Sequence, residues 1–217
     1  MKSFDLKPLR KLAQRYLGLL CFALLSACAS TGKGADASAP NIDVVPLSYN
    51  ESIDISGRFT AQFEQNGRPQ SWSGSFDWTQ SPENTMVTLL SPLGQVVATI
   101  MLTPQGATMT QADKAPQSAA NVDALVQDTL GWPLPISNLR NWMQAQVIDR
   151  AGKRIVATPQ MTKTIDTSDG WRLLFLSWQD AEKPGAPPAP KRIDMERDTE
   201  QAGRVQMRLI ISSWQPH

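Results

Sequence analysis

Residues 53–78 read IDISGRFTAQFEQNGRPQSWSGSFDW. In the first half Ile53, Ile55, Gly57, Phe59, Ala61 and Phe63 alternate with Asp54, Arg58, Thr60, Gln62 and Glu64. A period of two puts the first set on one face of a half-buried β-strand and the second largely in water. Asn66-Gly67 follows, a pair favoured in two-residue hairpin turns because both central positions need positive φ. Trp72, Gly74, Phe76 and Trp78 then alternate with Ser71, Ser73, Ser75 and Asp77. The segment predicts an antiparallel hairpin with one strongly aromatic face.

The same pattern recurs downstream, with strands expected over residues 86–91, 95–103 and 107–112 and turns at 81–84, 92–94 and 104–106. Residues 121–130 break the alternation: Val122, Leu125, Val126 and Leu130 fall at helical spacing, Asn121 suits an N-cap and Gly131 follows the end. Trp132-Pro133-Leu134-Pro135 stops that helix and opens a second one carrying Leu139, Trp142 and Met143. Strands return over 155–158, 162–167, 171–178, 192–196 and 205–214, with a hairpin turn at Asp169-Gly170. The proline-rich stretch 183–190 reads as an extended surface loop. About ten strands in up-and-down order imply a mainly β protein built on one large antiparallel sheet, curled into a complete or partial barrel. A two-sheet sandwich fits the same pattern. On pattern alone, the stripe of Trp72, Phe76 and Trp78 reads as a filled core before it reads as a cavity lining.

Upstream lies a secretory signal. Lys2, Lys7, Arg10, Lys11 and Arg15 precede a short apolar run over 17–25, and Leu25-Ser26-Ala27-Cys28 resembles the lipobox of bacterial lipoprotein precursors. Residues 1–27 are therefore expected to be a signal peptide, and Cys28 to become the lipidated first residue of the mature chain. Ordinary cleavage near Ala27 or Ala29 is the other reading of these residues. The run is too short for a membrane-spanning helix, which needs about 20 apolar residues. Residues 28–49 are expected to form the lipidated N-terminus and a tether whose small polar composition cannot order itself, and residues 50–217 to form the β domain.

Loss of the signal removes five of the 21 Lys and Arg and one of the 20 Asp and Glu, leaving a mildly acidic chain with 16 against 19. That balance argues against nucleic acid as a partner. Cys21 leaves with the signal, so no internal disulfide can form. The single histidine is His217, the last residue, which removes Ser/His/Asp and Cys/His chemistry and His-based zinc sites. No Walker A or GxGxxG motif occurs. Asp54, Glu64, Asp77, Asp166 and Asp169 sit in strands or turns as solvated charges are expected to. A protein without catalysis, cofactor or metal is expected.

The turn Ser91-Pro92-Leu93-Gly94, the segment GWPLPISNLRNW at 131–142 and the lipobox together resemble the LolB family, outer-membrane receptors of the bacterial lipoprotein localisation pathway. The resemblance implies an unclosed antiparallel β-barrel with a short helical lid over a hydrophobic cavity. It implies a lipid-anchored receptor at the periplasmic face of the outer membrane that accepts lipoproteins from the soluble carrier LolA and inserts them into the inner leaflet. The partners would be LolA, acylated lipoprotein cargo and outer-membrane phospholipid, met by a monomer. Pro92, Leu93 and Gly94 would form a membrane-insertion loop with Leu93 projecting from it. An acyl-binding cavity would draw on Phe59, Phe63, Trp72, Phe76, Trp78, Leu89, Trp132, Leu139 and Trp142. Such cargo needs a dry pocket, since burying an acyl chain of about fifteen CH₂ groups is worth roughly 12 kcal/mol. The competing expectation is a lipid-anchored β domain that binds another lipid or serves as an envelope scaffold, which a solid core would favour.

Overall fold

The aromatic hairpin forms as expected, from strand β1 (Ile53–Gln65) and strand β2 (Arg68–Gln80), in a computed structural model that describes residues 47–180 and 188–217. Asn66 and Gly67 turn it with φ of 54° and 70°. Ile53, Ile55, Phe59, Ala61 and Phe63 are buried while Asp54, Arg58, Thr60, Gln62 and Glu64 face water. Two glycines let this hairpin bend. A Cβ on Gly57 would lie 2.3 Å from the Ile210 carbonyl oxygen, and one on Gly74 would lie 2.1 Å from that of Leu90. Phe76 lies opposite Gly57 and Phe59 opposite Gly74, so each ring covers the gap left by its cross-strand glycine.

The chain continues through β3 (Thr85–Leu90), β4 (Val96–Thr103), β5 (Gly106–Gln111) and β6 (Gln117–Ala119). Helices α1 (Val122–Leu130) and α2 (Ile136–Trp142) follow. Asn121 Oδ1 accepts from the Ala124 N–H at 2.9 Å, and Gly131, at φ 83°, donates back to the Gln127 carbonyl, so α1 is capped at both ends as its sequence predicts. The chain then forms β7 (Gln146–Ile148), β8 (Arg154–Val156), β9 (Ile165–Asp166), β10 (Arg172–Gln179), β11 (Ala189–Thr199) and β12 (Gly203–Pro216).

Ten strands make one antiparallel sheet in the order β6-β5-β4-β3-β2-β1-β12-β11-β10-β9, with β7 and β8 a separate hairpin. The sandwich alternative falls away because one continuous sheet supplies the core. β1 is paired on both sides, to β2 and to β12, and the edge strands β6 and β9 do not pair with each other. The result is a curled, unclosed sheet. Its concave face carries the main core, including Ile55, Phe59, Trp78, Ile100, Met109, Leu173, Ile193 and Met207.

Three expectations need correction. Strands β6 and β7 were not expected, because three residues show no readable alternation. β9 is two residues long where a strand over 162–167 was expected, although Thr167 also bridges to Asp149. The expected surface loop 183–190 ends in buried structure, since Ala189 and Pro190 open β11 opposite Gln179 and Trp178. A proline is accommodated there because it stands at the start of a strand beside a bulge. Residues 183–187 of that stretch, and the expected signal peptide, Cys28 and tether residues up to 46, lie outside the described residues.

Candidate functional site

Helix α2 and the segment before it lie across the concave face. Leu134, Ile136, Leu139 and Met143 meet Phe59, Phe76, Trp78, Val87, Leu89, Met207 and Leu209 around one wholly apolar cavity. Its volume is about 20 Å³, enough for roughly one water by the usual 10–15 Å³ criterion. Pockets that hold ligands of drug size run to about 300–1,000 Å³. The space between the helical layer and the sheet is therefore too small for a ligand of that size in this structure.

The structure brings Phe59, Phe76, Trp78, Leu89 and Leu139 together around that cavity. Phe63, Trp72 and Trp132 lie outside its lining and pack on one another. Phe63 and Trp132 stack at 5.3 Å, and Trp72 meets both edge-on at 6.1 and 6.3 Å. Trp142 packs edge-on against Trp171 at 6.2 Å. Phe63, Trp72 and Trp132 thus pack beside the start of the helical segment and Trp142 at the end of α2, while the other five face the space beneath the layer. Alternation placed each on the correct face of its strand or helix, but it carries no information on which end of a curled sheet a residue occupies.

Three polar side chains that alternation did not single out as functional hold the layer near the end of α2. Gln144, just past α2 and 0% exposed, accepts from the Asn50 N–H at 2.7 Å and donates to the Asn50 carbonyl at 3.0 Å. Gln80, also 0% exposed, donates to Tyr49 Oη and to the carbonyls of Asn50 and Glu51 at 3.1–3.2 Å, and its amide oxygen accepts from Trp78 Nε1 at 3.3 Å. Arg140 on α2 donates to Tyr49 Oη at 2.8 Å and to the Ser81 carbonyl at 3.3 Å. The segment 47–51 is thus clamped between β2 and the helical layer. Gln80 was findable, because it continues the inward series Phe76, Trp78 with a polar residue, and a buried amide requires partners.

The turn between β3 and β4 is closed by the Gly94 N–H donating to the Ser91 carbonyl at 2.9 Å, and Gly94 adopts φ 80°. Pro92 and Gly94 are exposed, and Leu93 between them is 87% exposed, the highest value among exposed large apolar side chains of the described residues. Leu93 is not among the residues that line the cavity, so it projects from the domain without facing it.

Charge collects elsewhere, on the outer face of β10, β11 and β12. Arg192 and Arg208 both bond Asp194, while Arg172 and Arg204 bond Glu196. Burial pushes the Asp194 carboxyl up, but the hydrogen bonds from Arg192 and Arg208 outweigh it and leave it below the usual carboxylate range. Glu196 is held low chiefly by its bond from Arg204. These are paired surface groups in a structural network. Asp54, Glu64, Asp77, Asp166 and Asp169 do not converge into any group of three that could hold a metal among the described residues.

A model of the family "Outer membrane lipoprotein LolB" matches residues 51–214, from the residues before β1 to Trp214 in β12. The chain belongs to the LolB family. Outer-membrane lipoprotein LolB of Cupriavidus taiwanensis is 33% identical over 207 residues, covering 93% of this chain and 98% of that protein. The LolB of Cupriavidus pinatubonensis is 35% identical over 192 residues, covering 85% and 88%. Among solved structures, a LolA superfamily protein from Nitrosomonas europaea aligns over 81% of this chain and 90% of its own, at 10% identity and a TM-score of 0.43. The LolB match takes in the cavity lining, the clamp residues Gln80, Arg140 and Gln144 and the Leu93 turn, but stops short of the expected lipobox.

Proposed function

We propose that this chain is a lipid-anchored receptor of the outer membrane that accepts acylated lipoproteins from the periplasmic carrier LolA and inserts them into the inner leaflet. Family membership carries the reading: relatives matching nearly the whole length bear the name outer-membrane lipoprotein LolB. The wholly apolar cavity beneath the helical layer supports cargo binding, and the projecting Leu93 supports delivery. Cys28 provides the anchor and residues 29–46 the reach. The work requires binding energy and no catalysis. Each tenfold advantage in affinity over the carrier corresponds to ~1.4 kcal/mol, so a difference of about 3 kcal/mol makes hand-over nearly complete.

The deciding experiment mixes carrier-bound lipoprotein with the acylated chain in phospholipid vesicles and follows cargo by affinity capture. Cargo should move without ATP, and Trp78→Asp should block uptake, because a carboxylate at that position must be desolvated beside acyl chains. A strict ATP requirement, or a folded Trp78→Asp variant with undiminished uptake, refutes the mechanism or the cavity respectively. The nearly filled core favours one second reading, an anchored scaffold. That reading requires that no acylated cargo bind under any condition.

A further inference from the structure

Residues 84–112 contain no Asp, Glu, Lys, Arg or His. They make up β3, β4 and β5 with the turns between them. The inward side chains of these strands join the core, and the outward ones form a neutral lattice. Met86, Met101 and Thr108 stand in one cross-strand row, and Thr88, Thr99 and Thr110 in the next. Leu93 and Val96 lie at the end of the same pair of strands. Of seven large apolar side chains exposed among the described residues, four are Met86, Leu93, Val96 and Met101, so exposed apolar surface is concentrated on this third of the sheet. The outer surface is densely charged on β10–β12, where Arg172, Asp194, Glu196 and Arg208 lie. Core packing does not explain the difference, because both halves bury their inner faces equally well.

We propose that the outer face of β3–β5 is a membrane-apposed surface, so that the domain lies along phospholipid on this face when Leu93 inserts. The inference rests on the insertion-loop reading above and goes beyond it in fixing an orientation. A charged side chain is penalised near the hydrocarbon boundary, whereas threonine, methionine and valine are not. A neutral face can therefore approach zwitterionic headgroups closely along its whole width. A protein partner would be steered and selected by charges, and this face has none to offer. Eighteen residues separate Cys28 from Leu47, and a chain of that length can reach at most about 60 Å. An acylated Cys28 thus keeps the face within reach of the bilayer.

Standing on the tip and lying on the face can be told apart. Met86, opposite Met101, is four residues along β3 from Leu90, roughly 13 Å at a strand's rise. A domain that touches lipid only through Leu93 leaves Met101 in water. Cys21 precedes the mature chain, so in the acylated protein one added cysteine is the only free thiol. Leu93→Cys, Met101→Cys, Thr110→Cys and Gln206→Cys, each carrying a bimane label, are reconstituted in zwitterionic vesicles of phosphatidylethanolamine and phosphatidylcholine. Quenching by headgroup-spin-labelled lipid is compared with quenching by iodide. Labels at 93, 101 and 110 should be quenched by lipid and shielded from iodide, and the label at 206 should behave oppositely. Thr99→Lys should slow delivery of cargo to vesicles about two- to fivefold, the interfacial end of the cost of a charged side chain. Lipid contact at 93 with 101 and 110 as open to iodide as 206 overturns the orientation and leaves the insertion loop standing. Four water-exposed labels overturn both. Shielding at 101 and 110 that appears only with the carrier, or only at high protein density, assigns the face to a protein and overturns the proposal.

Discussion

Replacing Gln144 by leucine should loosen the helical layer without unfolding the sheet. The side chain is 0% exposed and makes two good hydrogen bonds with Asn50, at 2.7 and 3.0 Å. Leucine keeps most of the volume and loses both bonds. At about 1 kcal/mol net for each, the layer loses about 2 kcal/mol of resistance to opening, or roughly 30-fold in its opening equilibrium. Hydrogen exchange read by mass spectrometry measures this directly. The amides of Leu139 and Met143, which donate to Pro135 and Leu139 within the layer, should exchange about 30-fold faster. Those of β1, paired on both sides, should keep their protection. Unchanged exchange in α2 refutes the clamp. Equal acceleration in every strand would make Gln144 a support of the whole core instead.

Cys28→Ala should release the domain into the soluble fraction, and mass spectrometry finding an unmodified mature N-terminus at another residue in the unaltered protein would sink the lipidation reading. Leu93→Glu should leave cargo acceptance intact and impair delivery to vesicles, so equal loss of both steps would mean that Leu93 merely packs in the fold. Gly74→Ala sets a methyl against the Leu90 carbonyl and should cost about 1–3 kcal/mol, seen as a lower urea midpoint at unchanged slope; undiminished stability would show that the bend is not held there. Asp194 and Glu196 have depressed folded-state pKa values, so their contribution is complete above the ordinary carboxylate range near 4 and is lost as pH falls from there through the depressed values. Asp194→Asn should flatten that acid limb of the stability profile, and an identical limb would count against it.

Period-two alternation made the sheet legible because one face of each long strand is buried and the other wet. It placed β1 to within a residue and β2 to within three, and kept Leu93 at a turn. The stripe itself did not divide into cavity and clamp. Phe63 and Phe59 are equivalent by alternation, yet one stacks on Trp132 and the other faces the space under α2. That distinction depends on where the sheet curls, which Gly57 and Gly74 set through backbone contacts with residues far away in sequence. The bonds that hold the layer join residues some 30 to 94 positions apart. No local pattern encodes such partners. The filled core that pattern alone favoured matches the small cavity observed, where the space implied by the family is only a seam.

The pairing of β1 with β12 has a consequence for how the chain is made. Ile53 meets Pro216, so the strand at the centre of the sheet waits for a partner at the far end of the sequence. Closing so long a loop is entropically costly, and sheets built on such distant pairings fold slowly. Through most of synthesis β1 can form only its local hairpin with β2. Until that last strand is made the sheet lacks its central ladder, and the β1–β6 and β9–β11 halves become one sheet only when β12 joins β1 to β11.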